Sequence, residues 1–140
     1  MNILKVFTEK RKIGNLGERA AVRYLRRRGY RVIKRNYTAV GAEIDIIASK
    51  DGVTAFVEVK ARNVKYLGGY EARPASAVTP EKQRKIIRTA SYFLSRYDEK
   101  TRVRFDVIEV YLEDSWHGAK IKEIKHLVDA FNKNTAYSRR

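Results

Sequence analysis

The 140-residue chain carries 31 Lys plus Arg against 16 Asp plus Glu, a formal charge of +15, which favours polyanionic partners, nucleic acid first. It has no cysteine, so disulfide frameworks and thiolate metal sites are excluded and any metal must be held by oxygen or histidine. No stretch approaches the ~18 to 20 apolar residues of a membrane span, and the start MNILKVFTEKRK lacks a small-residue cleavage pattern. The expectation is a soluble cytoplasmic protein of one domain, 1–140.

The charge is uneven. Residues 1–40 hold twelve basic side chains against Glu9 and Glu18, so 12 − 2 places +10 of the total there. Arg19, Arg23, Arg26, Arg27, Lys34 and Arg35, with Arg62 further on, are the candidate nucleic-acid contacts. The plainer reading is a solvated basic face. Membrane-surface binding is disfavoured, because the first helix has no strongly apolar opposite face of interfacial type.

In chain order, a flexible basic start (about 1–13) precedes GNLGERAAVRYLRRRGY, which predicts a helix from about Leu16 to Arg28 that Gly29 ends at positive φ. At ~100° per residue, Ala20, Ala21, Tyr24 and Leu25 share a face and Glu18 falls on its rim. YRVIKRNY predicts a strand. In GAEIDIIASKDGVTAFVEVKAR, Asp51-Gly52 predicts a two-residue hairpin turn, with Lys50 facing Val53. That register sets Ile44 against Val59, Ile46 against Val57 and Ala48 against Ala55 on one apolar face. The other face opposes Glu43 to Lys60, Asp45 to Glu58 and Ile47 to Phe56.

Like charges directly opposed destabilise a sheet, whereas a carboxylate pair at that spacing can hold one hard cation. With only oxygen donors at hand, the candidate cation is Mg2+ or Mn2+. Lys60 shares the face and can reach a phosphate held there. Structural ion pairs to Lys60 or a nearby Arg are the alternative use of the same acids.

Residues 61–79 lack periodicity and predict a mobile binding loop, in which Tyr66 and Tyr70 could stack on bases or simply pack. TPEKQRKIIRTASYFLSRY predicts a helix with Thr79 as N-cap, Pro80 at its first position and Ile86, Ala90, Phe93, Leu94 and Tyr97 inward. Gln83 is placed at the inner face near its start. VRFDVIEVYL reads as a strand, IKHLVDAFN as a weaker terminal element, and 133–140 as a loosely ordered tail. His117 and His126 show no metal spacing with the carboxylates and read as surface residues; Trp116 reads as an edge or turn aromatic. The order of elements predicts an α/β domain with a central mixed sheet.

Asp45 followed thirteen positions later by Glu58-Val59-Lys60 resembles the active-site signature of the PD-(D/E)XK nuclease superfamily. More closely, GNLGERAAVRYLRRRGYRVIKRNY, EIDIIASKDGVTAFVEVKAR, EKQRKIIRTASYFL and RFDVIEV, in that order, resemble the YraN-like bacterial family within it. The resemblance implies a restriction-endonuclease-like central mixed β-sheet flanked by α-helices. It further implies Asp45 and Glu58 as metal ligands, Lys60 as the catalytic lysine, Glu18 as an auxiliary acid, and Gln83 beside the site. The chain departs from the pattern in having Ile44 where the superfamily name has Pro, Ala42 between Gly41 and Glu43, and Ile87 where related nucleases carry Tyr. The implied activity is metal-dependent cleavage of nucleic acid, DNA in preference to RNA. A non-catalytic nucleic-acid-binding module and a homodimeric junction-resolving nuclease are the alternatives.

Overall fold

Asp51 and Gly52 turn the chain in two residues, both at positive φ (51° and 75°), as a hairpin turn that follows the strand twist requires. The strands they join pair in the predicted register, Lys50 with Val53 through Ile46 with Val57. Around this hairpin the computed structural model describes residues 3–64, 78–116 and 118–138. The elements are α1 (Ile3–Arg27), β1 (Arg31–Ala39), β2 (Ala42–Lys50), β3 (Val53–Asn63), α2 (Pro80–Leu94), β4 (Arg102–Ser115), β5 (Gly118–Phe131) and α3 (Lys133–Tyr137).

One five-stranded sheet runs β1-β2-β3-β4-β5. Its pairs are antiparallel except β3–β4, which is parallel and needs the crossover that α2 occupies. Helix α1 lays Ala20, Ala21, Val22 and Leu25 on Ile46, Ala48, Ala55, Val57, Ile108 and Val110. On the other face Ile86, Ile87, Ala90 and Phe93 of α2 meet Ile47, Phe56, Phe105 and Val107, with Ala136 of α3. The result is an α/β domain of restriction-endonuclease-like arrangement, and β2 and β3 are apolar on both sides because helices cover both sides.

The helix ends obey local rules. Tyr30 N–H donates to Leu25 O and Gly29 N–H to Arg26 O, the double bond of a Schellman close with Gly29 at φ 89°. Lys82 N–H donates to Thr79 Oγ1 at 3.2 Å, capping α2 as expected. Several expectations change. Helix α1 extends back to Ile3, and the residues expected to form a weak terminal element form the 14-residue strand β5, because β4 offers a full ladder for it. Lys133–Tyr137 fold into a capped helical turn. Trp116 lies in the β4–β5 turn, 92% exposed. Residues 65–77, with Tyr66 and Tyr70, and His117 lie outside the described residues.

His126 is not a surface residue: its side chain is 7% exposed. Its Nε2 lies 2.8 Å from Asp106 Oδ2 and its Nδ1 3.2 Å from Tyr24 Oη. Arg104 donates to both Asp106 oxygens and to Tyr30 Oη, and Asp129 N–H donates to Asp106 Oδ1. Burial pushes the Asp106 carboxyl up, but these donors outweigh it and hold it below the usual carboxylate range. The cluster ties β4 and β5 to the C-terminal end of α1. Asp106→Ala would strand a half-buried guanidinium and a buried imidazole, and a loss of about 3 kcal/mol is expected in urea unfolding.

Two helical glycines separate packing from propensity. A Cβ on Gly17 would stand 2.6 Å from Ala61 Cβ on β3, whereas one on Gly14 meets nothing within 4 Å. Gly14→Ala should stabilise by about 0.5–1 kcal/mol through helix propensity. Gly17→Ala should destabilise by about 1–3 kcal/mol, because α1 must lift off the sheet. Shifts of the urea midpoint in opposite directions, at constant slope, are the expected result.

Candidate active site

The predicted register stops one step short of the acids. The β2–β3 ladder ends at Ile46–Val57, and Val59 N–H donates instead to Asp45 Oδ2 at 2.7 Å. Here the side chain takes the main-chain donor that a further rung would have used, and the strands fork around it. Ile44 and Ile46, two residues apart, pack into opposite cores, so the single apolar face predicted for Ile44, Ile46 and Ala48 is broken. The break is shared with β1, where Arg35 pairs with Ile46 and Tyr37 with Ile44, and the intervening Asn36 sits at φ 51°. Asparagine tolerates that left-handed conformation better than most residues. Asp45 is therefore turned out of the pleat, reachable from both faces.

Glu18 arrives from α1 and Glu43 from the start of β2. One carboxylate oxygen each from Glu18, Glu43 and Asp45 lies within 4.8 Å of the others. Asn36 Nδ2 is 3.1 Å from both Glu18 oxygens and 2.9 Å from Glu43 Oε1, so one amide braces two acids. The expected Glu43–Lys60 pairing does not form: Glu43 turns to Asn36, and Lys60 Nζ lies 3.6 Å from Glu58 Oε1. The same Glu58 oxygen accepts from Lys82 Nζ at 2.5 Å, on the first turn of α2. Asp45 and Glu58, the expected ligand pair, line one cleft, with Asp45 among the acids and Glu58 engaged by two ammonium groups.

Electrostatics follow this division. Burial and the Glu58 charge raise the Asp45 carboxyl from its ordinary 3.8 to about 7, against the opposing bond from Val59 N–H. Burial and the Lys82 ammonium push Lys60 below its ordinary range. Burial acts on Lys82 in the same direction, but its bond to Glu58 outweighs this and holds it above its ordinary value. Gly41, Ala42, Glu43, Asp45, Glu58 and Lys82 line a cleft of about 510 Å³ over the fork. Within it four acids, Glu43, Asp45, Glu58 and Glu81, converge with Lys82 and Lys85, and Lys60 lies behind Glu58.

Gln83 does not join them. Its Nε2 donates to Val78 O at 2.9 Å and its Oε1 accepts from Thr135 Oγ1 at 2.9 Å, so both ends of the amide tie α2 to α3. Two contributors escape a reading by motif, Asn36 and Lys82, and one buried acid lies on the neighbouring strand outside the cleft lining. Glu109 is paired in register with Lys60 and 4% exposed, and among the described residues its Oε1 has no hydrogen-bond partner. Burial pushes that carboxyl above its ordinary range. Arg19, Arg23, Arg26, Arg27 and Arg35 line a groove of about 440 Å³ between α1 and β1. Lys34 is exposed on β1, and Arg62 follows Lys60 by two residues along β3.

Comparison with known proteins places this arrangement. The sequence model of Uncharacterised protein family UPF0102 matches residues 17–110, a span running from the glycine beside Glu18 through the first half of β4. The chain belongs to that family. A UPF0102 protein of Prosthecochloris aestuarii is 43% identical over 122 residues, covering 85% of this chain and 92% of the relative. One of Clostridioides difficile is 42% identical over 120 residues, covering 84% and 95%. Another, of Symbiobacterium thermophilum, is 46% identical over 101 residues, covering 71% and 82%. The UPF0102 relatives thus match over most of their own length, and the matched span contains every acid and lysine of the cleft.

The crowded Asp45 predicts a pH signature. Unfolded, it ionises near 3.8; folded, it resists ionisation until about 7. Between these values the folded state binds more protons, so its contribution to stability falls as pH rises. Asp45→Asn removes that liability and keeps an oxygen for Val59 N–H. In EDTA its Tm should exceed that of the unsubstituted protein at pH 8 by about 3 °C or more, with the gap narrowing as pH falls below about 7 and closing only below 3.8. Equal Tm values at pH 8 would contradict this account of the cleft.

Proposed function

We propose that this UPF0102 chain is a cytoplasmic, nucleic-acid-binding phosphodiesterase dependent on Mg2+ or Mn2+, with DNA preferred over RNA. The observation that carries the reading is the convergence of Glu18, Glu43 and Asp45 beside the Glu58–Lys60–Lys82 cluster. Three carboxylates, one from α1 and two from β2, each with an oxygen within 4.8 Å of the others, suit a hard divalent cation. Burial and the Glu58 charge raise the Asp45 carboxyl, and a divalent cation bound there would relieve that crowding. Glu18, Glu43 and Asp45 would hold Mg2+ or Mn2+, which would supply Lewis-acid polarisation of phosphate and water.

The chain's own groups account for the remainder. Lys60 lies beside the acids, in a partly buried setting that strengthens its interaction with a phosphate oxygen as charge develops. Glu58 holds both ammonium groups at one point, so that Lys60 is oriented before substrate arrives. Lys82 brings a second cation from the opposite helix, and the basic groove beside α1 offers backbone-phosphate contacts leading to the cleft. Asn36 keeps Glu18 and Glu43 together against their mutual repulsion.

A supercoiled plasmid assay tests this. Mn2+ or Mg2+ should support nicking that EDTA abolishes. Asp45→Asn should slow it at least about 100-fold and Lys60→Ala about 100- to 1,000-fold, while DNA affinity stays within about twofold. Folded protein that binds DNA but cleaves none of a panel of linear, flapped and four-way substrates would instead be a binding module without catalysis.

A further inference from the structure

Between residues 11 and 28 every fully exposed side chain is Arg or Lys, Asn15 excepted. At ~100° per residue, Arg26 lies about 20° from Arg19 around the helix, on the flank that faces β1. Arg23 and Arg27 follow at about 40° and 80° in the other sense, along the crest, and Arg28 stands about 180° away on the far flank. The surface has the same three-part form. The groove between α1 and β1 is lined by Arg19, Arg23, Arg26, Arg27 and Arg35. A second groove of about 600 Å³, between α1 and β5, is lined by Arg23, Arg27 and Arg28 over a floor of Tyr24, Ile121 and Ile124. Arg23 and Arg27 border both. Arg28 is braced on the Tyr24 ring, 4.5 Å from its centroid.

A cationic ridge with a cation-lined trough on each side is one more trough than a single polyanionic strand needs. We infer that α1 lies in the major groove of duplex DNA, with one phosphate backbone in the β1-side trough and the other in the β5-side trough. The inference rests on the nucleic-acid reading above and names its substrate. The dimensions agree, since an α-helix is about 10–12 Å across and the B-form major groove about 12 Å wide. The deep, narrow major groove of an RNA duplex does not admit a helix. From Arg19 to Arg28 the ridge runs about 14 Å, or some four base pairs.

The troughs differ in what they lead to. Arg19 and Arg35 are chain neighbours of Glu18 and Asn36, so the β1-side trough opens at the acids. Neither trough shares a lining residue with the cleft, but no residue lining the β5-side trough is a chain neighbour of Glu18, Asn36, Glu43 or Asp45. One strand therefore passes the carboxylates while its complement is only held, and a single chain nicks rather than cuts.

Fluorescence anisotropy with a 20-base-pair DNA duplex, its isolated strand and the matching RNA duplex, in EDTA over a range of salt, tests this apart from cleavage. The DNA duplex should bind at least about tenfold more tightly than either other probe. Each phosphate contact contributes about 0.9 to the slope of log affinity against log salt, or about eightfold at 0.1 M. Arg28→Gln should therefore weaken the duplex about eightfold and spare the single strand, whereas Arg35→Gln should weaken both. Circular dichroism checks each fold. Should Arg28→Gln misfold, Ile121→Glu in the floor of the same trough, 41% exposed, carries the test by repulsion. Equal affinity for single strand or RNA duplex, or an unchanged duplex affinity in both β5-side variants, would overturn the inference. Failure to bind any probe would overturn the nucleic-acid reading itself.

Discussion

The bond from Val59 N–H to the Asp45 carboxylate, 2.7 Å long, is the contact on which the cleft depends. A main-chain donor in a central strand must be satisfied, and here a side chain satisfies it. The β2–β3 ladder then stops, the strands diverge, and the opening is a cleft with the same carboxylate at its floor. One hydrogen bond both ends the sheet locally and fixes the residue around which the chemistry gathers.

The cleft concentrates like charge on one side and opposite charge on the other, and the fold tolerates this unevenly. Glu58 is neutralised by Lys60 and Lys82, while Glu18 and Glu43 are only bridged by a neutral amide and Asp45 is left strained by its neighbours. Sites that hold charge out of balance are where function is usually found. The opposite case stands at the far end of the sheet. Asp106, Arg104 and His126 are satisfied in every direction, and they serve to hold β5 and α1 in place.

Helix α1 serves two surfaces at once. Its inner face uses small residues, with Gly17 against Ala61 and Ala20 and Ala21 on β3 and β4, so that the helix sits low on the sheet. Its outer face between residues 11 and 28 is basic at every exposed side chain except Asn15. Close seating on the inside is what lets troughs form on both sides outside, and what brings Glu18 down to Asn36 at the fork.

Much was legible in the residues alone, because it is decided by neighbours in the chain. The Asp51-Gly52 turn and period-2 alternation dictated the hairpin register, and Thr79-Pro80 and Gly29 marked helix ends. The family's pattern, carried by Asp45, Glu58 and Lys60, was legible in the same way. What escaped depends on approach in space. The slip of alternation at Asp45 needs a left-handed Asn36 on the neighbouring strand. Glu58 meets Lys82 only after the β3–β4 crossover sets α2 over the sheet, and His126 is enclosed only once Asp106 and Tyr24, far apart in sequence, close on it. Local propensity thus determined the elements and named the acids. Which acid pairs with which base, and which side chain lies between the two faces, was decided by tertiary packing, since those contacts join segments that no sequence period links.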